Sequence, residues 1–249
     1  MITTVIPDNW QQLQIEVGRI LEECGFRVEV EKKVQTVRGQ VELDIYAEER
    51  VDDRKYSIIC ECKYWKSRVP QTVIHGFRTV MADIGANVGY VVSLAGFQEG
   101  AFKTSEMTNV ELVTWEEFQA AFEKTWFGKY LSPLIAERLD PLLTYAEPIL
   151  PKWFSDLSEE HQQRYLALKD RYDEFGWLIM TFTPYARWHR DENIPTLPII
   201  DRLPANSRLV AKVPAGILAE VGYRQFFDAT VEYGEHAIQE FRALRDTPP

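Results

Sequence analysis

The chain has 249 residues, 45% of them hydrophobic, and 28 Lys and Arg against 38 Asp and Glu give it a net charge of −10. A real core fits that composition and global disorder does not, while the sign of the charge works against bulk attraction to nucleic acid. No apolar run approaches the ~20 residues of a membrane span, so no membrane partner is expected.

In chain order, Asp8 to about Gly25 reads as a helix capped by Asp8, with Leu13, Val17, Ile20 and Leu21 at helical spacing. The residues before it, Met-Ile-Thr-Thr-Val-Ile-Pro, lack the basic start and long apolar stretch of a signal peptide, so a cytoplasmic location is the expectation. Phe26–Glu31 alternates as a first strand, Arg38-Gly39-Gln40 is a turn, and Val41–Ala47 is a second strand. Glu48–Lys55 reads as a polar hairpin loop and Tyr56–Tyr64 as a third strand. Pro70 opens a helix through Val73, Ile74, Phe77, Val80, Met81 and Ile84. The apolar run Tyr90-Val-Val-Ser-Leu reads as a strand buried on both faces. A short helix near Gly96–Ala101, a strand at Glu111–Thr114 and a helix from Trp115 follow. The predicted order α-β-β-β-α-β-α-β-α implies an α/β fold, a mixed sheet with helices on both faces.

Beyond about Trp126 the texture changes: prolines at 133, 141, 148 and 151 punctuate the chain. Helices are expected over Ser158–Phe175 and over Ala215–Leu244, the latter long or broken in two, with Thr183–Pro214 irregular. Two domains are expected, 1–125 and a mostly helical 126–249.

Charge sits where a buried strand should carry none. Alternate strand residues share a face, so Glu61 and Lys63 lie on one face of the third strand and Cys60 and Cys62 on the other. An antiparallel neighbour brings Asp44 toward Glu61. Two carboxylates that close repel unless a cation sits between them. A hard ion such as Mg²⁺ takes oxygen ligands of this kind, completed by water and phosphate oxygens. The backbone carbonyl of Cys62 would lie near the same ion. Lys63 is placed to orient or deprotonate a water or to balance phosphate charge. The set suits hydrolysis of a phosphodiester.

Asp44 followed by Glu61-Cys-Lys63 resembles the D…(D/E)xK signature of the PD-(D/E)xK nuclease superfamily. With Glu61-Cys-Lys-Tyr-Trp-Lys, Val69-Pro, Val73-Ile-His-Gly-Phe, Gly89-Tyr-Val-Val-Ser, Gly96-Phe-Gln-Glu-Gly-Ala and Val110-Glu-Leu-Val-Thr in order, residues from about Asp8 to Phe118 are similar to the catalytic domain of Mrr-like restriction endonucleases. The resemblance implies a restriction-endonuclease-like fold and a metal-dependent endodeoxyribonuclease of restriction or anti-phage defence. It implies Asp44 and Glu61 as ligands of Mg²⁺, with Mn²⁺ able to substitute, and Lys63 as the catalytic lysine. Gln71 matches a polar position near the site in relatives. At the position of the glutamate that the family often carries on its first helix stands Gln14; either Glu16, two residues on, takes the role through a shifted register, or the auxiliary acid is missing. A nuclease fold that grips or senses DNA without cutting it is the alternative; a nuclease for junctions or RNA shares the chemistry.

The other residues divide between chemistry and packing. Three cysteines, Cys24, Cys60 and Cys62, are too few and too odd for a disulfide framework. Cys60-Glu-Cys62 lacks the second pair that zinc needs and reads as small apolar side chains. From Glu31 to Arg78 ten Lys or Arg face eight Asp or Glu, a mildly basic segment in which Lys66, Arg68 and Arg38 are candidates for phosphate contact. Tyr64 and Trp65 are expected to cover the core, and His75 to pack on an apolar helix. Tyr185-Ala-Arg-Trp-His-Arg190 is a basic-aromatic patch open to nucleic acid or to packing. The C-terminal region is expected to serve recognition, homodimerisation or a protein partner.

Overall fold

The structure is a computed structural model and describes residues 1–146, 149–186 and 194–246. The chain divides into two compact units, one of Val5–Trp126 and one of Met1–Thr4 with Phe127–Pro249.

The first unit runs α1 (Trp10–Glu23), β1 (Arg27–Thr36), β2 (Gly39–Val51), β3 (Arg54–Lys63), α2 (Gln71–Ile84), β4 (Val88–Ser93), α3 (Glu99–Ser105), β5 (Val110–Thr114) and α4 (Trp115–Trp126). The five strands form one sheet in sequence order. β1, β2 and β3 are antiparallel, while β3, β4 and β5 are parallel. The parallel half follows from the helices α2 and α3, which return the chain to the same end of the sheet each time. This is the α/β mixed sheet that the sequence predicts.

Helices cover both faces. Gly18 of α1 lies against Val28 and Val30 of β1, at a spacing a Cβ would fill. On the opposite face Phe77 and Met81 of α2 crowd Gly89 of β4 so closely that a Cβ there would meet them at 2.5 and 2.9 Å. Tyr46, Ile59, Val91 and Val110 complete the core on this side. Cys24, Cys60 and Cys62 are buried and form no disulfide among the described residues.

Three local expectations are corrected. Asn9, not Asp8, caps α1, its side chain accepting from the Gln12 N–H at 2.8 Å. Glu48–Lys55 is no loop: β2 and β3 continue through Glu49↔Tyr56 and Val51↔Arg54 and turn on Asp52-Asp53 alone, both at positive φ. A two-residue turn with both φ positive matches strand twist, and Asp tolerates that region. His75 is exposed rather than packed.

The second unit is helical: α5 (Ser132–Ala146), α6 (Glu159–Met180), α7 (Arg208–Lys212), α8 (Ala215–Ala219) and α9 (Tyr223–Arg245). The prolines at 133 and 141 do not break α5; Pro141 lies inside it. Burial of Ile135, Leu139, Leu142 and Leu143 holds the helix through that position. The stretch expected over 215–244 is a broken pair, α8 then α9. No helix among the described residues is long and apolar enough to cross a membrane. Arg187, Trp188, His189 and Arg190 of the basic-aromatic patch lie outside the described residues.

Candidate active site

Asp44 and Glu61 stand on interior strands, which removes any reading of them as charges that guard a sheet edge. The ladder is interrupted around Asp44. Between β2 and β3 the pairing starts only at Ile45↔Cys60. Between β1 and β2 it is complete on either side of Asp44, at Val30↔Ile45 and Lys32↔Leu43, but Glu31, which faces Asp44, takes a left-handed φ of 52°. Such a conformation is strained for a residue with a side chain and persists only where its surroundings fix it. The Asp44 carboxylate fills the gap: its Oδ2 accepts the Cys62 backbone N–H at 2.7 Å. A side-chain oxygen thus does the work of a strand carbonyl, and the acid is held against the backbone between Glu61 and Lys63.

Glu61 and Lys63 project from β3 as alternation requires, and Lys63 Nζ donates to Glu61 Oε1. Both side chains are mostly buried, 27% and 17% exposed. Burial pushes the Glu61 carboxyl above its ordinary value, the Asp44 carboxylate pushes it further, and the Lys63 ammonium opposes them. Lys63 Nζ also lies 5.4 Å from the centroid of the Trp65 ring. On the other face, burial pushes the Cys60 and Cys62 thiols up, which keeps them protonated.

The remaining candidates scatter. Gln71 begins α2, and its amide oxygen lies beside Gly100 of α3, 2.8 Å from where a Cβ would stand. Arg38, at the β1–β2 turn, pairs with Asp83 at 3.4 Å. Lys66 and Arg68 are exposed and form no ion pair among the described residues. Gln14 is buried on the inner side of α1 at 6% exposure, while Glu16 turns to Arg19 at 3.8 Å. Tyr64 and Trp65 do not cover the core; they are 38% and 42% exposed. Only exposure could have shown that, since an aromatic at a strand end carries the same sequence signal in either setting.

The geometry on β2 and β3 coincides with a family match: residues 8–122 fit the family model of the Mrr catalytic domain, described as restriction endonuclease. The match covers just under half of the chain. Asp44, Glu61 and Lys63 all lie within the matched residues. No curated protein matches the chain. Among solved structures, the protein of unknown function AF1548 is similar at 20% identity and a TM-score of 0.37, over 66% of this chain and 97% of that one. The DNA modification-dependent restriction endonuclease AspBHI is similar at 14% identity and a TM-score of 0.30, over 47% of this chain and 38% of that one. The match thus spans well under half the length of AspBHI.

The site's donors suit a hard cation. Among the described residues no group of three His, Cys, Asp or Glu could hold a metal ion, which disfavours a closed all-protein cage. Two carboxylates on neighbouring strands fit an ion that keeps several waters and uses only one or two protein carboxylates, as Mg²⁺ does.

Proposed function

We propose that the chain is a Mg²⁺-dependent endodeoxyribonuclease, acting in the cytoplasm in restriction or anti-phage defence. The observation that carries this is the convergence of Asp44, Glu61 and Lys63 across β2 and β3 within a restriction endonuclease domain. Asp44 and Glu61 would hold the ion, with the Cys62 carbonyl as a third oxygen and Mn²⁺ as a substitute. When bound, the ion supplies charge neutralisation at the scissile phosphate and lowers the pKa of a coordinated water.

The chain's own residues do the rest. The Cys62 N–H fixes one oxygen of Asp44 and leaves the other free to face a ligand. Glu61 anchors the Lys63 ammonium, and an ion that draws on the Glu61 carboxylate leaves Lys63 available to a water or a phosphate oxygen. Lys63 then orients the attacking water, or stabilises charge on the phosphate. Lys66 and Arg68 would contact flanking phosphates, Gln71 would assist at the site, and Arg38 would exchange its Asp83 partner for a phosphate. Residues 126–249 would serve target recognition, homodimerisation or a protein partner.

The test is plasmid DNA with purified protein in Mg²⁺ and in EDTA. Cleavage is expected in Mg²⁺ alone and is lost in Asp44→Ala; equal degradation by that variant refutes the assignment. One observation favours a second reading, a nuclease fold that binds DNA without cutting. The family's auxiliary acid position holds the buried amide of Gln14. DNA binding indifferent to Mg²⁺, with no cleavage in any metal, supports that reading.

A further inference from the structure

We propose that Trp65 is a base-stacking residue, so that the DNA nucleotide beside the cleaved phosphate is unstacked when this chain binds it. The proposal rests on the nuclease reading for where the DNA lies, but its test is binding and does not require cleavage.

The segment between β3 and α2 is pinned at both ends. At one end the Tyr64 hydroxyl donates to the Asp8 carbonyl at 2.7 Å. At the other, Val69 forms a bridge with Phe97: its N–H donates to the Gly96 carbonyl and its own carbonyl accepts from the Gln98 N–H, both at 3.0 Å. Gln98 also donates from its side chain to the Arg68 carbonyl at 3.5 Å. The four residues between, Trp65 to Arg68, are all exposed. The Trp65 indole is 42% exposed on a backbone fixed at both ends, which leaves part of the ring open to a ligand.

Its position ties it to the chemistry. The ring lies 5.4 Å from Lys63 Nζ, so it borders the space where Lys63 meets the substrate. Lys66 and Arg68 flank it without ion pairs among the described residues. The twenty residues from Lys63 to Ala82 carry Lys63, Lys66, Arg68 and Arg78 and no acid, in a chain of net charge −10. An aromatic plate set in a local cationic strip is the arrangement that holds single-stranded nucleic acid: the cations track phosphates while a base stacks on the ring. Within a duplex each base face is covered by its neighbours, so a base reaches a tryptophan only from a single strand or after extrusion from the helix.

The competing role for Trp65 is to steady Lys63 alone. Full-length protein with Ca²⁺ in place of Mg²⁺ separates the two by anisotropy with a labelled single strand and the matching duplex. Trp65→Ala is expected to weaken single-strand binding about tenfold or more, in line with the loss of one base–aromatic stack, with a smaller loss on the duplex. Trp65→Phe recovers most of it, and an unchanged melting temperature shows that the fold is intact. In Mg²⁺ the same Ala variant raises KM more than it lowers kcat. Unchanged single-strand affinity in Trp65→Ala, equal losses on strand and duplex, or a fall in kcat with affinity intact would overturn the proposal. If wild type fails to cut while the Trp65→Ala binding loss appears, the nuclease reading fails and the stacking stands.

Discussion

The two units place charge differently. In the helical unit the charges join helix to helix at the rim: Arg208 reaches Asp173 and Glu174 at 3.0 and 2.9 Å, Lys212 reaches Asp170 and Asp173, and Arg138 pairs with Glu235. Its core is aromatic, with Phe241 stacked on Tyr145 at 4.9 Å and set edge-on to Tyr165 at 5.3 Å. In the sheet unit three charges sit half-buried inside the sheet, on strands that otherwise bury Ile45, Ile59 and Cys60. Charges at a rim cost little and contribute little. Charges within a sheet cost a great deal unless something compensates them, and Glu61 is the one whose carboxyl is pushed up. The difference separates a region whose charges join helices at the rim from one whose charges sit inside the sheet.

The strongest way to break that contrast is in the aromatic core. Phe241→Ala should cost about 3–5 kcal/mol in the helical unit, read by chemical denaturation; a loss under about 1 kcal/mol would show that the ring cluster is not the unit's core. Lys63→Ala should lower cleavage about 10²–10⁴-fold, far more than its modest loss of stability accounts for, measured by single-turnover kinetics on folded protein. A fall in stability that matches the fall in rate would make Lys63 a structural partner of Glu61 only.

Asp44→Asn sharpens the comparison in the opposite direction. Asn can still accept the Cys62 N–H but removes the charge that raises Glu61. A carboxyl whose folded pKa is raised binds its proton more tightly in the native state. Its stability is therefore present at low pH and is lost as pH climbs through the folded pKa. The variant should abolish cleavage, flatten that loss above the ordinary carboxylate range, and gain about 1 kcal/mol without metal, or about 2–4 °C. A lower melting temperature at neutral pH would contradict this. Smallest of all, Arg208→Ala should destabilise by less than about 1 kcal/mol, and less still in high salt; a salt-independent loss of several kcal/mol would move this pair out of the rim class.

Much of the sheet unit was legible because strands announce themselves by alternation, and alternation also placed Glu61 and Lys63 opposite Cys60 and Cys62. The left-handed Glu31 opposite Asp44 was not legible, since nothing in Val-Glu-Val-Glu-Lys marks one residue for positive φ. The extension of β2 and β3 to Asp52-Asp53 was hidden by charge, because cross-strand Glu48–Lys55 pairing at 3.0 Å and a polar loop have the same composition. α5 was hidden by its prolines, whose local preference is overridden by the burial of Leu139, Leu142 and Leu143.

The central claim is that Asp44 and Glu61, from neighbouring strands, share one divalent ion. Anomalous diffraction from crystals soaked in Mn²⁺ tests it most directly. The account predicts a single peak in contact with both carboxylates, absent in Asp44→Asn crystals treated alike. Full soaking with no peak between them, or a peak held by other residues, would contradict it.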